Sequence, residues 1–318
     1  MLSRVADAIY WMNRYVERAE NIARFVDVNL NLLLDLANPM PHPWDPIVSI
    51  TGDQALFQQR YETVTQENVI QFLTFDRAYP NSILASVTAA RENARSIREI
   101  ISSEQWEHLN SFYFMVNDAA KSQEPIDWHE FFSQVKQASH LFGGITHATM
   151  THNEGWHFGQ LGRYLERADK TTRILDVKYF ILLPSARDVG SALDVVQWGA
   201  LLRSASAYEM YRKRYRQRFE PNSVAGFLLL DREFPRSVRF CIQSAERSLY
   251  QITGTPIGDW RTLTERSFSK LRADLDYVVI DEMIQQGLHE FLDDLQRQMN
   301  RLDQMLFESF FCLDTCTT

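Results

Sequence analysis

Glycine and proline are scarce, at 12 and 10 of 318 residues, about 7% together where ~12% is ordinary for soluble chains. Tight hairpins and phosphate-cradling loops consume glycine, so the shortage disfavours sheet-rich and α/β nucleotide-binding folds and favours long helices. Cysteine is rare as well. The three, Cys241, Cys312 and Cys316, are odd in number and late in the chain, which argues against a disulfide framework and fits a reducing compartment. Long apolar runs are missing: Tyr179 to Leu183 is the longest near the middle, far short of the roughly 20 residues of a membrane span. Asp7 interrupts what would be the apolar core of an export signal, so the expected location is the cytoplasm. Positive charge is not in excess. A net charge of -8 makes general binding to nucleic acid unexpected.

What remains is 45% hydrophobic and 23% charged, the balance of a folded soluble chain large enough for its own core. Its strongest feature is a match between its two halves. Arg14-Tyr15-Val16-Glu17-Arg18-Ala19-Glu20 is echoed by Arg163-Tyr164-Leu165-Glu166-Arg167-Ala168-Asp169. In the same order, Trp44 matches Trp198, and Arg60-Tyr61 matches Arg214-Tyr215. Phe72-Leu73, Asp76-Arg77, Tyr79-Pro80 and Ser82 then match Phe227-Leu228, Asp231-Arg232, Phe234-Pro235 and Ser237. His129-Glu130-Phe131 matches His289-Glu290-Phe291. Collinear matches with slowly drifting spacing imply duplication. The expectation is one all-α domain over residues 1–318, a helical bundle built from two halves of about 150 residues, near 1–145 and 146–311, related by pseudo-two-fold symmetry.

Periodicity supports helices throughout. Ile83, Val87, Ala90, Ala94, Ile97 and Ile101 recur at three-and-four spacing, as do Trp128, Phe132, Val135, Phe142 and Ile145. Ile284, Leu288, Phe291, Leu295, Leu302 and Leu306 form a third stripe. The four prolines between Asn38 and Pro46 mark the clearest loop. Ser82 and Asp45 are expected helix caps.

In the first copy of the charged motif, Met12, Val16, Ala19, Ala23, Val26 and Leu30 make an apolar stripe, while Arg14, Glu17, Asn21 and Arg24 fall on another side. The second copy places Arg163, Glu166, Lys170 and Arg173 at the same positions. On this wheel Arg18 and Arg167 point elsewhere, to the flank of Trp11 and Phe25. Three readings stand side by side: a solvated face, a buried ion-pair network around Glu17 and Glu166 with Asp76-Arg77 and Asp231-Arg232 as corner clamps, and a ligand site. Planar guanidinium forks suit anions, so the ligand class for the third is a peptide or amino-acid carboxylate.

These residues resemble the Glu-Arg motif of the bacterial alpha-E family of all-helical proteins, and Ala90-Arg91-Glu92-Asn93-Ala94-Arg95 and Trp156-x-Phe158 through Gly162-Arg163 are similar to its pattern too. The resemblance covers essentially the whole chain. It implies association with a circularly permuted ATP-grasp ligase and a transglutaminase-like protein, in a bacterial peptide-modifying or amide-forming system. Two functions follow: a non-catalytic accessory or substrate-binding partner, or an enzyme of amide chemistry with Glu17 or Glu166 as general base. In either, Arg14, Arg18, Arg24, Arg163, Arg167, Arg173, Arg91 and Arg95 are the candidate ligand contacts. A carboxylate flanked by arginines stays ionised, which favours binding over acid catalysis.

Other candidates are weaker. His140 and His147 share a helix face but lie ~10 Å apart along it, too far for one ion. His152 and His157 could converge with Glu154, yet a polar helix junction explains them, and neither a metal nor another cofactor is expected. Tyr208, Tyr211, Tyr215 and Phe219, interleaved with Arg212, Lys213, Arg214, Arg216 and Arg218, read as a helical stripe whose rings belong to the core and whose charges form a solvated face, with docking of an acidic partner and, more remotely, single-stranded nucleic acid as the alternatives. Cys312 and Cys316 read as a frayed tail. No Gly-x-Ser-x-Gly elbow, His-Glu-x-x-His pair or phosphate loop is present.

Overall fold

Scarce helix breakers translate into helix length. The computed structural model describes residues 1–35, 43–180, 192–215 and 219–312. It begins with α1 (Ser3–Asp35), followed by the short α2 (Asp45–Thr51), α3 (Gln54–Arg60) and α4 (Gln66–Thr74). Then come α5 (Ile83–Ser96), α6 (Ser103–Ala119) and α7 (Trp128–Thr149). The second half opens with α8 (Glu154–Phe180), α9 (Ala192–Ser204), α10 (Tyr208–Arg214) and α11 (Pro221–Leu230). It ends with α12 (Val238–Thr253), α13 (Leu263–Tyr277), α14 (Ile280–Gln286) and α15 (Leu288–Leu306), which runs into a π-helical turn at Phe307–Phe311. Among the described residues there is no β-strand, and the fold is all-α. No described helix is long and apolar enough to cross a membrane.

Two long helices form the centre. α1 packs on α5, α7 and α8, while α8 packs on α1, α12 and α15. α9 lies on α1 and α2 lies on α8, so short helices from each half cover the long helix of the other. α1 and α8 run in the same direction, since Gly155 approaches Ile9, Gly162 approaches Tyr10 and Glu166 meets Arg14. Glycine permits the approach. A Cβ on Gly162 would lie 2.5 Å from the Tyr10 carbonyl oxygen, and one on Gly159 would lie 2.7 Å from Asn13 Nδ2. With neighbours on nearly every side, α1 buries Met12, Val16, Ala19 and Ala23 together with Arg14, Glu17 and Asn21.

Matched segments make matched contacts. Arg60 Nε donates to Asp76 Oδ2 at 2.6 Å, and Arg214 Nη1 to Asp231 Oδ2 at 2.5 Å. His129 Nδ1 lies 2.8 Å from Asp27 Oδ1, and His289 Nδ1 lies 2.6 Å from Asp176 Oδ1. Ser82 caps α5 and Ser237 caps α12.

Several expectations need correction. The corner clamps join Asp76 to Arg60 and Asp231 to Arg214, whereas Arg77 reaches Asn117. Asp45 is the first residue of α2, so the N-cap position falls to Trp44 instead. α5 stops at Ser96, leaving Ile97 and Ile101 buried beyond its end. The third stripe spans two helices, because Gly287, at φ +111°, separates α14 from α15. The buried face of α15 is Leu288, Leu292, Leu295, Met299, Leu302 and Leu306, so Phe291 lies off it. The stripe from Tyr208 is not one helix either. α10 ends at Arg214, and Tyr215 and Phe219 fold back so that both stack on the buried Tyr211. Positions 38–42 of the proline loop, 181–183 of the apolar run, Arg216, Arg218 and Cys316 lie outside the described residues.

Candidate functional site: a buried ion layer

One turn beyond the glycine contact, where α1 and α8 remain adjacent, the two Glu-Arg dipeptides exchange partners. Arg167 of α8 donates through Nε and Nη2 to Glu17 Oε1 and Oε2 of α1, both at 2.7 Å. Arg18 of α1 donates likewise to Glu166 Oε1 and Oε2 of α8, at 2.7 and 2.9 Å. These are two-pronged forks, in which the planar guanidinium matches both carboxylate oxygens. The wheel had turned Arg18 and Arg167 away from this face. It locates the Cα atom only, and a long arginine side chain can reach across to a helix packed alongside.

Further cations surround each glutamate. Arg236, entering from α12's approach, places Nη1 3.3 Å from Glu17 Oε1 and Nη2 2.9 Å from Glu20 Oε2. Arg163 Nε stands 3.5 Å from Glu17 Oε2. Around Glu166, Arg14 Nε donates to Oε2 at 2.9 Å and Lys170 Nζ lies 3.7 Å from Oε1. Arg24 pairs with Glu20, and Arg173 with Asp169, each one turn back along its own helix. Arg14 also donates to the Tyr10 hydroxyl at 3.1 Å and to Asp303 of α15. Cationic side chains therefore outnumber carboxylates in this layer, inside a chain of net negative charge.

The electrostatics follow from that imbalance. Burial opposes ionisation of Glu17, yet Arg167 and Arg236 bring its pKa down to about 2. Burial is likewise overcome at Glu166, which Arg18, Lys170 and Arg14 hold well below the usual carboxylate range. Glu20 shifts the same way under Arg236 and Arg24. With 7% and 1% of their side chains exposed, Glu17 and Glu166 are anions locked in arginine forks. Such groups hold a structure in register and are weak proton acceptors.

Of the candidate ligand contacts, Arg14, Arg18, Arg24, Arg163, Arg167 and Arg173 converge on this layer. Arg91 and Arg95 do not. Arg91 reaches Asn110 of α6 at 2.6 Å and lies over the Tyr113 ring, and Arg95 pairs with Glu92 in the open. The histidines divide: His140 faces Glu20 at 3.3 Å, whereas His147, His152 and His157 gather around Trp156, with the His152 ring centroid 4.1 Å from that of the indole and 4.9 Å from that of His147. Among the described residues, no group of three or more His, Cys, Asp or Glu is placed to hold a metal ion. Sequence reasoning missed Arg236, Glu20, Tyr10 and Asp303. Arg236 had a signal, for it replaces Asn81 within an otherwise matched Pro-x-Ser stretch; Asp303 had none.

A family model described as a predicted alpha-helical domain with a conserved ER motif matches residues 1–311. Relatives include an uncharacterised protein of Mycobacterium bovis and two of Mycobacterium tuberculosis, each 24% identical over 271 residues. The alignment covers 79% of this chain but only 30% of each relative, so those proteins are much longer. No solved structure matches significantly.

Proposed function

Since the chain belongs to the Alpha-E family, we propose that it is a non-catalytic helical partner of an ATP-grasp ligase, holding that enzyme or its peptide or amino-acid substrate in a bacterial amide-forming system. The observation that carries the non-catalytic half is the ion layer. Glu17 and Glu166 are the carboxylates best placed by the sequence to act as general bases, and both are committed to two-pronged arginine bonds. A base must be free to take a proton near neutrality, and a carboxylate with a pKa of about 2 is not. The ligase partnership rests on the family resemblance. The greater length of the mycobacterial relatives agrees with a domain that works beside other domains.

The test is co-purification with an ATP-grasp ligase encoded beside it, followed by amide-forming assays of the ligase alone and of the pair. The reading expects a stable complex and a rate or substrate affinity that depends on the helical partner. Identical ligase kinetics with and without it would end the proposal. Loss of turnover in a folded, complex-forming Glu17→Gln variant would instead assign chemistry to this chain.

A further inference from the structure

Arg14 and Arg163 open the two matched motifs but are neutralised differently. Arg14 has three partners: Glu166 through Nε, and Tyr10 and Asp303 through Nη1. Carrying the His129/His289 match along α7 and α15 aligns Asp303 with Gly143, and the motif match aligns Tyr10 with Gly159. Both side chains that receive Arg14 Nη1 are thus glycine on the other side.

The structure agrees with this alignment. The Arg163 guanidinium lies on Gly143, with Nη1 and Nη2 3.2 and 3.3 Å from where a Cβ would stand. The carboxylate that Arg163 meets among the described residues is Glu17, 3.5 Å from Nε, and the Arg167 fork already holds Glu17. The Arg163 side chain is 28% exposed, against 10% for Arg14. The next residue of α7, Gly144, is exposed, and a Cβ there would meet nothing within 4 Å. The charges respond accordingly. Burial and the neighbouring Arg167 lower the pKa of Arg163. Arg14, where burial acts in the same sense, is raised by Tyr10, Asp303 and Glu166.

We propose that Arg163 beside Gly143 binds the carboxylate of a free amino acid or a peptide C-terminus, which takes the place that Asp303 holds beside Arg14. The guanidinium supplies a planar pair of donors, and the excess of cations behind it favours an added anion. The inference goes beyond the ligase partnership and can be tested on the chain alone, so either can fail without the other.

Calorimetric titration with acetate, with L-glutamate, and with a tripeptide bearing a free or an amidated C-terminus reads the site, with sodium chloride at matched ionic strength as reference. Saturable binding of one carboxylate per chain is expected, with the amidated tripeptide silent. Arg163→Gln should weaken it by about tenfold or more. Gly143→Asp should abolish it by supplying the carboxylate internally, and Asp303→Gly should add a second site beside Arg14. Equal heats from chloride and acetate, or binding unaltered in Arg163→Gln, would overturn the proposal even if Gly143→Asp fails to fold. Tighter binding of inorganic phosphate than of any carboxylate would overturn the ligand class.

Discussion

Glu17 and Arg167 sit 150 residues apart in sequence and are joined by two hydrogen bonds of 2.7 Å between parallel helices. Glu166 and Arg18 repeat the arrangement in the opposite sense. Neither dipeptide is an internal pair, because each glutamate takes the arginine of the other copy. The exchange fixes both the register and the distance of α1 against α8, since a forked bond tolerates little sliding.

Removing one member should therefore cost more than a surface pair would. Glu17→Gln leaves Arg167 and Arg236 buried without their shared anion, a loss of roughly 3–5 kcal/mol. Arg167→Lys keeps the charge but not the fork and should still destabilise. Urea unfolding checks both, and a Glu17→Gln midpoint equal to that of the wild type would contradict the layer's structural role.

Acid should unfold the protein through this layer. Glu17 titrates near 4.5 when unfolded and at about 2 when folded, so between those values the unfolded chain binds the extra proton. Its contribution, roughly 3 kcal/mol, is complete above pH ~4.5 and is lost as the pH falls toward 2. Glu166 and Glu20 shift in the same direction and steepen the fall. Melting temperatures across this range should drop steeply in the wild type and less so in Glu17→Gln.

Two glycines should respond oppositely to alanine. At Gly162 the new methyl would meet the Tyr10 backbone oxygen at 2.5 Å, and backbone cannot swing aside. Overpacking of ~1–3 kcal/mol should exceed the ~1 kcal/mol that alanine contributes to a helix. At Gly144 nothing stands in the way, so only the gain of up to ~1 kcal/mol remains. Thermal melts of the pair should shift in opposite directions.

The two matched caps should differ in value. Ser82 Oγ accepts from Ala85 N, and Ser82→Ala should cost ~1 kcal/mol. Ser237 Oγ accepts from Phe240 N and also donates to the Asp231 carbonyl at 2.5 Å. Ser237→Ala should cost about twice as much, because a buried acceptor is left without its donor. Denaturant titrations of the two single variants read the difference.

Much of this molecule was legible as one-dimensional pattern. Scarce glycine and proline, apolar residues at three-and-four spacing and the match between Arg14–Glu20 and Arg163–Asp169 determined an all-helical chain whose two halves place the same charges on the same helix positions. Helix ends were harder, since Gly287 interrupts a stripe that periodicity alone carries across it. The partners of the charges were not written there at all. A helical wheel gives the direction of a Cα, whereas Glu17 meets Arg167, and Arg14 meets Asp303, only because α8 and α15 are packed alongside α1. The sequence determined that the charges came in two copies. Only the tertiary structure decided that the copies neutralise one another, and that Arg163, facing glycine where Arg14 faces Asp303, does so least.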